Sequence, residues 1–133
     1  MVEKTERIVL ADLDAGVRGA VAAARERVAG LHGELIRWGL VVWTAGNVSE
    51  RVVVTRADGS VERTGLFVIK PSGVAYDELC ADNMVVCTLD GDKVVDGTPE
   101  GLVPSSDTAA HAYVYRHMDG VGGVVHTHST YAT

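Results

Sequence analysis

The sequence predicts a layered α/β/α or α+β domain, with a mainly antiparallel sheet flanked by helices. Three features point there: a long helix-period stripe near the start, two hairpin signals built on Asp-Gly turns, and a late helix that runs through glycines into a strand. At 133 residues and 47% hydrophobic, the chain fits one globular domain spanning residues 1–133. Aromatic residues are few, so Val, Ala and Leu must fill the interior.

Residues 1–14 make a short charged arm in which Ile8, Val9 and Leu10 can pack. Val17, Val21, Ala24, Val28, Leu31 and Leu35 then step by four and three, which is one helix face. Arg18, Arg25, Glu26 and Arg27 fall mostly on the wet side. Asp14 suits an N-cap and Gly39 a stop, giving about six turns from near Asp14 to near Trp38. Leu40–Trp43 reads as a short strand or helix exit, and Thr44-Ala45-Gly46-Asn47 is turn chemistry. Val48 to Thr55 and Leu66 to Lys70 read as strands around the Asp58-Gly59 turn. Pro71-Ser72-Gly73 breaks the chain, and Tyr76 to Asp82 suggests a short helical turn. Met84–Leu89 and Lys93–Val95 flank Asp90-Gly91-Asp92 as a second hairpin, and Thr98 to Pro104 is a loop. Ser105 to Met118 is a helix, with Ser105 or Ser106 as cap, Asp107 suited to its positive end, and Asp119-Gly120 as its stop. Val124 to His128 alternates as a strand.

A net charge of −6 leaves no electrostatic footprint for nucleic acid. It also repels anions at long range, so any phosphate must be held by local donors. No apolar run approaches the roughly 20 residues of a membrane span, and the start lacks a signal-peptide pattern, so a cytoplasmic protein is expected. Cys80 and Cys87 form no C-x-x-C and read as small buried residues in a reducing compartment.

The strongest chemical signal is His126-Thr127-His128. Residues i and i+2 of a strand share a face, so two imidazoles converge on one point, as a divalent ion requires. The plain alternative is two unrelated histidines at a strand end. Asp107 heads a helix that folds back toward that strand, so its carboxylate can approach the same point, besides serving the helix end. A catalytic zinc needs at least three ligands and an open position, so a further histidine is expected. Gly46-Asn47, Lys70 with Ser72-Gly73, and Ser105-Ser106 at a helix N-terminus are each anion-friendly. Each alone is more often a turn, a loop or a cap; their weight comes from occurring together with a metal candidate.

Taken in order, Gly46-Asn47-Val48-Ser49, Ile69-Lys70-Pro71-Ser72-Gly73-Val74, Pro104-Ser105-Ser106-Asp107-Thr108 and Val125-His126-Thr127-His128-Ser129 resemble the class II aldolase/adducin family. The likeness runs from about Leu31 onward and is closest to the L-ribulose-5-phosphate 4-epimerase branch. It implies that His126 and His128 bind zinc, one ion per subunit, and that Asp107 is the acidic metal-site and catalytic residue. That residue is Asp in the epimerases and Glu in fuculose-phosphate aldolases, so Asp107 favours the epimerase branch. Gly46, Asn47, Ser72, Gly73, Ser105 and Ser106 match substrate-binding positions, and Lys70 a lysine near the phosphate.

The implied reaction is retro-aldol cleavage of a ketopentose phosphate and re-addition with C4 inverted. Zinc acts as Lewis acid on the enediolate, and the phosphate grip retains the aldehyde fragment. Family members run on past this endpoint and carry the third zinc histidine and proton-transfer residues downstream. The chain is therefore expected to be the N-terminal part of the domain, C-terminally truncated and inactive by itself, from a homotetramer. Three other readings stand beside the epimerase: a sugar-phosphate aldolase of the fuculose-phosphate type, a non-catalytic adducin-like interaction module, and a bare metal-binding fragment.

Overall fold

The computed structural model describes residues 7–129; Glu3, Lys4 and Glu6 of the charged arm, and Thr133, lie outside the described residues. Helix α1 spans Ala15–Arg37 and is capped as expected, the Asp14 carboxylate accepting from the Val17 N–H at 3.0 Å. Gly39, at φ 65°, ends it in the left-handed conformation that a side chain disfavours. The buried stripe is Val21, Ala24, Val28, His32 and Leu35. The expected Leu31 is 48% exposed and His32 takes its place at 1%. The step after Val28 is four residues, and the histidine finds two backbone partners that make its burial tolerable. Its Nδ1 lies 2.8 Å from the Val28 carbonyl and its Nε2 accepts from the Val48 N–H at 2.9 Å.

Strands β1 (Asn47–Thr55) and β2 (Val61–Ile69) form the predicted hairpin around Gly59, and β2 begins five residues earlier than its apolar run suggests. β3 is Val85–Thr88 and β4 is Gly123–His126. The sheet order is β3-β2-β1-β4, and every pairing is antiparallel. The predicted second return strand at Lys93–Val95 is reduced to bridges, Cys87 with Lys93 and Val95 with Val9. The Asp96 carboxylate accepts the Val86 N–H at 2.9 Å, supplying from a side chain what a longer ladder would supply from backbone. Tyr76 to Asp82 becomes two short 3-10 turns, Tyr76–Glu78 and Ala81–Asn83.

Strand alternation sorts the core into two layers. Val52, Leu66, Val68 and Val86 pack under α1 with Val21, Ala24 and Val28. Phe67, Ile69, Val85 and Cys87 pack on the opposite face with Ala112 and Tyr115 of helix α2, Thr108–His117. Two helices thus sandwich an antiparallel sheet, as predicted. Two details differ. Arg25 is half-buried against Asp96, not wet, and Cys80 is exposed while Cys87 is buried. No helix among the described residues is long and apolar enough to cross a membrane.

Candidate active site

Four segments of chain meet at the end of the sheet where β1 begins and β4 ends. Backbone hydrogen bonds clip them together. The Ser105 N–H donates to the Lys70 carbonyl at 2.9 Å, the Ser72 N–H to Val103 at 2.8 Å, and the His128 N–H to Leu40 at 2.7 Å. The register places Asn47 opposite His126. Gly46 sits at φ 85° with Val41, the His126 carbonyl and the Tyr76 hydroxyl crowded against the place a Cβ would occupy. Only glycine fits there without moving a neighbour. The Tyr76 hydroxyl holds the same turn, lying 2.8 Å from the Ala45 carbonyl and 2.9 Å from that of Gly46.

These segments enclose a cavity of about 350 Å³, within the range of small-molecule sites. Gly46, Asn47, Lys70, Ser72, Gly73, Ser105, Ser106, Asp107, His126 and His128 all line it, so every residue singled out from the sequence is brought to one place. Thr44 and Ala45 also line it. The preceding Trp43 is 88% exposed and sits at φ 60°, rare for a bulky residue.

Asp107 occupies the N-cap position of α2, but its side chain makes no cap bond; neither serine caps the helix in the expected way, and the Ser105 hydroxyl instead accepts the Asp107 N–H at 3.3 Å. The carboxylate is thereby free to face the cavity. Its Oδ2 accepts from Asn47 Nδ2 at 2.7 Å and lies 2.6 Å from His126 Nδ1. Burial works against its ionisation, yet these two hydrogen bonds outweigh it and hold its pKa below the usual carboxylate value. An ionised carboxylate only accepts, so His126 carries its proton on Nδ1. In the neutral ring Nε2 is then the lone-pair atom. His128 lies just past the end of β4, its ring 4.6 Å from that of His126.

Lys70 is 2% exposed. Its ammonium donates to the Pro71 carbonyl at 3.1 Å and lies 5.5 Å from the centre of the Tyr76 ring. Among the described residues it has no carboxylate partner, and burial lowers its pKa.

Sequence reasoning overlooks His111. It is 2% exposed, and its Nε2 lies 2.6 Å from Asn47 Oδ1. Its signal was the spacing Asp107, His111, Tyr115, four residues apart on one helix face.

A three-layered antiparallel domain with imidazoles, a carboxylate and anion donors around one cavity has the features of a small-molecule site. The chain belongs to the family described as Class II Aldolase and Adducin N-terminal domain, which it matches over residues 26–133. It is 48% identical over 110 residues to the L-ribulose-5-phosphate 4-epimerase UlaF of Salmonella paratyphi C, covering 82% of this chain and 42% of that protein. Among solved structures it resembles YgbL from Klebsiella pneumoniae, with 27% identity and a TM-score of 0.66 over 84% of this chain and 47% of that one. It also resembles the L-fuculose-1-phosphate aldolase of Thermus thermophilus, with 31% identity and a TM-score of 0.55 over 84% and 47%. The chain thus spans under half the length of these relatives.

Proposed function

We propose that this chain carries the substrate end of a sugar-phosphate enzyme, acting as an L-ribulose-5-phosphate 4-epimerase by retro-aldol cleavage and re-addition. One observation carries the reading: anion donors and metal-type ligands line the same cavity. Lys70, the Ser72 and Gly73 turn, Ser105 and Ser106 form the end suited to phosphate. The Lys70 ammonium, buried and without a carboxylate among the described residues, favours an anionic ligand. Such local donors offset the protein's net charge of −6.

His126, His128 and Asp107 form the other end. Their chemistry suits zinc, and the proton on His126 Nδ1, held by Asp107, is the arrangement that readies Nε2 for a metal. The geometry is not yet a closed ligand set: among the described residues no group of three His, Cys, Asp or Glu is placed to hold an ion. Asp107 in this arrangement orients His126, and a further ligand completes the site. Zinc would supply Lewis-acid stabilisation of the negative charge that develops on the substrate's ketone oxygen. The chain's own residues bind the phosphate and keep the cleaved aldehyde fragment from leaving while it turns. Asp107, an aspartate where the aldolase branch has glutamate, favours the epimerase over the fuculose-phosphate type of aldolase. A cytoplasmic homotetramer for the intact protein belongs to the same reading.

The test is to purify the intact, full-length protein with zinc, supply L-ribulose 5-phosphate, and follow inversion at C4 by NMR. Inversion that is lost in His126→Ala and His128→Ala supports the epimerase. Release of an aldehyde without inversion supports the aldolase. Absence of both reactions together with absence of bound metal supports the adducin-like module and defeats the proposal.

A further inference from the structure

The α2-facing side of β1 is polar although it is buried. Asn47, Ser49 and Arg51 alternate along the strand at 2%, 1% and 7% exposure. Opposite them stand His111 and Tyr115, one turn apart on α2. Ser49 Oγ lies 2.6 Å from His111 Nδ1 and 2.6 Å from the Tyr115 hydroxyl. Arg51 donates to the Tyr115 carbonyl at 2.8 Å and to Val121 at 2.9 Å, and its guanidinium stands 5.0 Å from the centre of the Tyr115 ring.

Hydrogen-bond direction along this row follows from one end. The Asp107 carboxylate only accepts, so the Asn47 atom facing it is the amide nitrogen. Asn47 Oδ1 then faces His111, whose Nε2 must carry the proton. His111 Nδ1 is left as an acceptor, the Ser49 hydroxyl donates to it, and the Tyr115 hydroxyl donates to Ser49. Every bond has one donor, and for a neutral imidazole no other direction satisfies the carboxylate. At the cavity, Asn47 Nδ2 spends its hydrogens on Asp107 and on Ser105 Oγ, 2.9 Å away. Ser105 Oγ also accepts the Asp107 N–H, so its own proton is left to donate to a ligand.

We infer that His111 is a positioning residue: it fixes the Asn47 amide, and through it aims the Ser105 hydroxyl at an oxyanion in the cavity while holding the Asp107 carboxylate toward His126. This deepens the proposed site and rests on it only for the ligand readout. His111 itself does not line that cavity, so its effect passes through Asn47.

The first measurement is the nitrogen-15 spectrum of the His111 ring in the wild-type chain at pH 7. A single Nε2–H tautomer, with Nδ1 unprotonated, is expected. An Nδ1–H or averaged ring overturns the inference, and this result stands whether or not any variant folds. The second compares His111→Met, which lacks a donor, with His111→Gln, whose amide can donate to Asn47. Exchange of the Asn47 side-chain amide should quicken about tenfold or more in H111M and stay near wild type in H111Q. The Kd for inorganic phosphate should rise about five- to tenfold in H111M and stay within about twofold in H111Q. Equal behaviour of the two variants overturns the inference. If the wild type binds no phosphate, the anion reading fails, while tautomer and amide exchange still decide the role of His111.

Discussion

Lys70 sits in surroundings that suit its charge poorly. A buried ammonium with one carbonyl acceptor and an aromatic face has lost most of its hydration without gaining a counter-ion among the described residues. Replacing it with methionine keeps the stem and removes the charge. Lys70→Met should hold or raise the thermal midpoint, because the unpaired cation is gone. It should weaken inorganic phosphate binding by roughly ten- to a hundredfold, the loss of one charge-assisted hydrogen bond of about 1.5–3 kcal/mol. Calorimetric titration beside a melting curve checks both halves. A variant that binds phosphate as tightly as the wild type would show that the cavity's anion donors lie elsewhere.

Helix α1 reaches the site through His32, which holds the Val48 N–H next to Asn47, and through Leu35, which packs with Val48 and Tyr76. The His32 contact needs a neutral ring, because a proton on Nε2 would remove its acceptor. Burial pushes the pKa of both His32 and His111 down to about 4, from an ordinary 6.5. The folded state therefore disfavours their protonation, and the unfolded chain takes up protons first. Stability from these two histidines is complete above about pH 6.5 and is lost as pH falls toward 4. Urea denaturation across that window should fall by up to about 1.4 kcal/mol per pH unit for each ring. His32→Gln, whose amide can still accept the Val48 N–H, should flatten the decline by about half. An unchanged slope would mean that His32 does not titrate with unfolding. The same histidine marks where the sequence stops being readable. Hydrophobic periodicity chooses Leu31 over His32, because it cannot see the backbone groups that make a buried imidazole tolerable. His111 is hidden for the same reason. By contrast Asp14, Gly39, the Asp58-Gly59 turn and the His126-x-His128 pair announce themselves, since each depends on neighbours a few residues away. The reduced strand at Lys93–Val95 depends on Val9 and Asp96, which local pattern does not connect to it.

The molecule as a whole hangs its site between two unequal layers. Most of the α1 stripe packs on Val52, Leu66, Val68 and Val86, away from the cavity. The α2 layer carries Asp107 and His111 on a smaller cluster around Phe67, whose ring stands 5.2 Å from that of Tyr115. Phe67→Ala should cost about 3–5 kcal/mol in urea denaturation, and hydrogen exchange should show α2 losing protection before α1. Equal loss in both helices would mean that the layers unfold as one. Following these transitions calls for a suitable probe, and the two tryptophans are poor ones. Trp38 and Trp43 are 68% and 88% exposed, so their indoles already meet water in the native state and their emission changes little on unfolding. Circular dichroism is the better record of melting. For the same reason Trp43 is well placed for another purpose. It immediately precedes Thr44 at the cavity wall, held in an unusual backbone conformation, so its fluorescence can register a ligand's arrival without an attached dye.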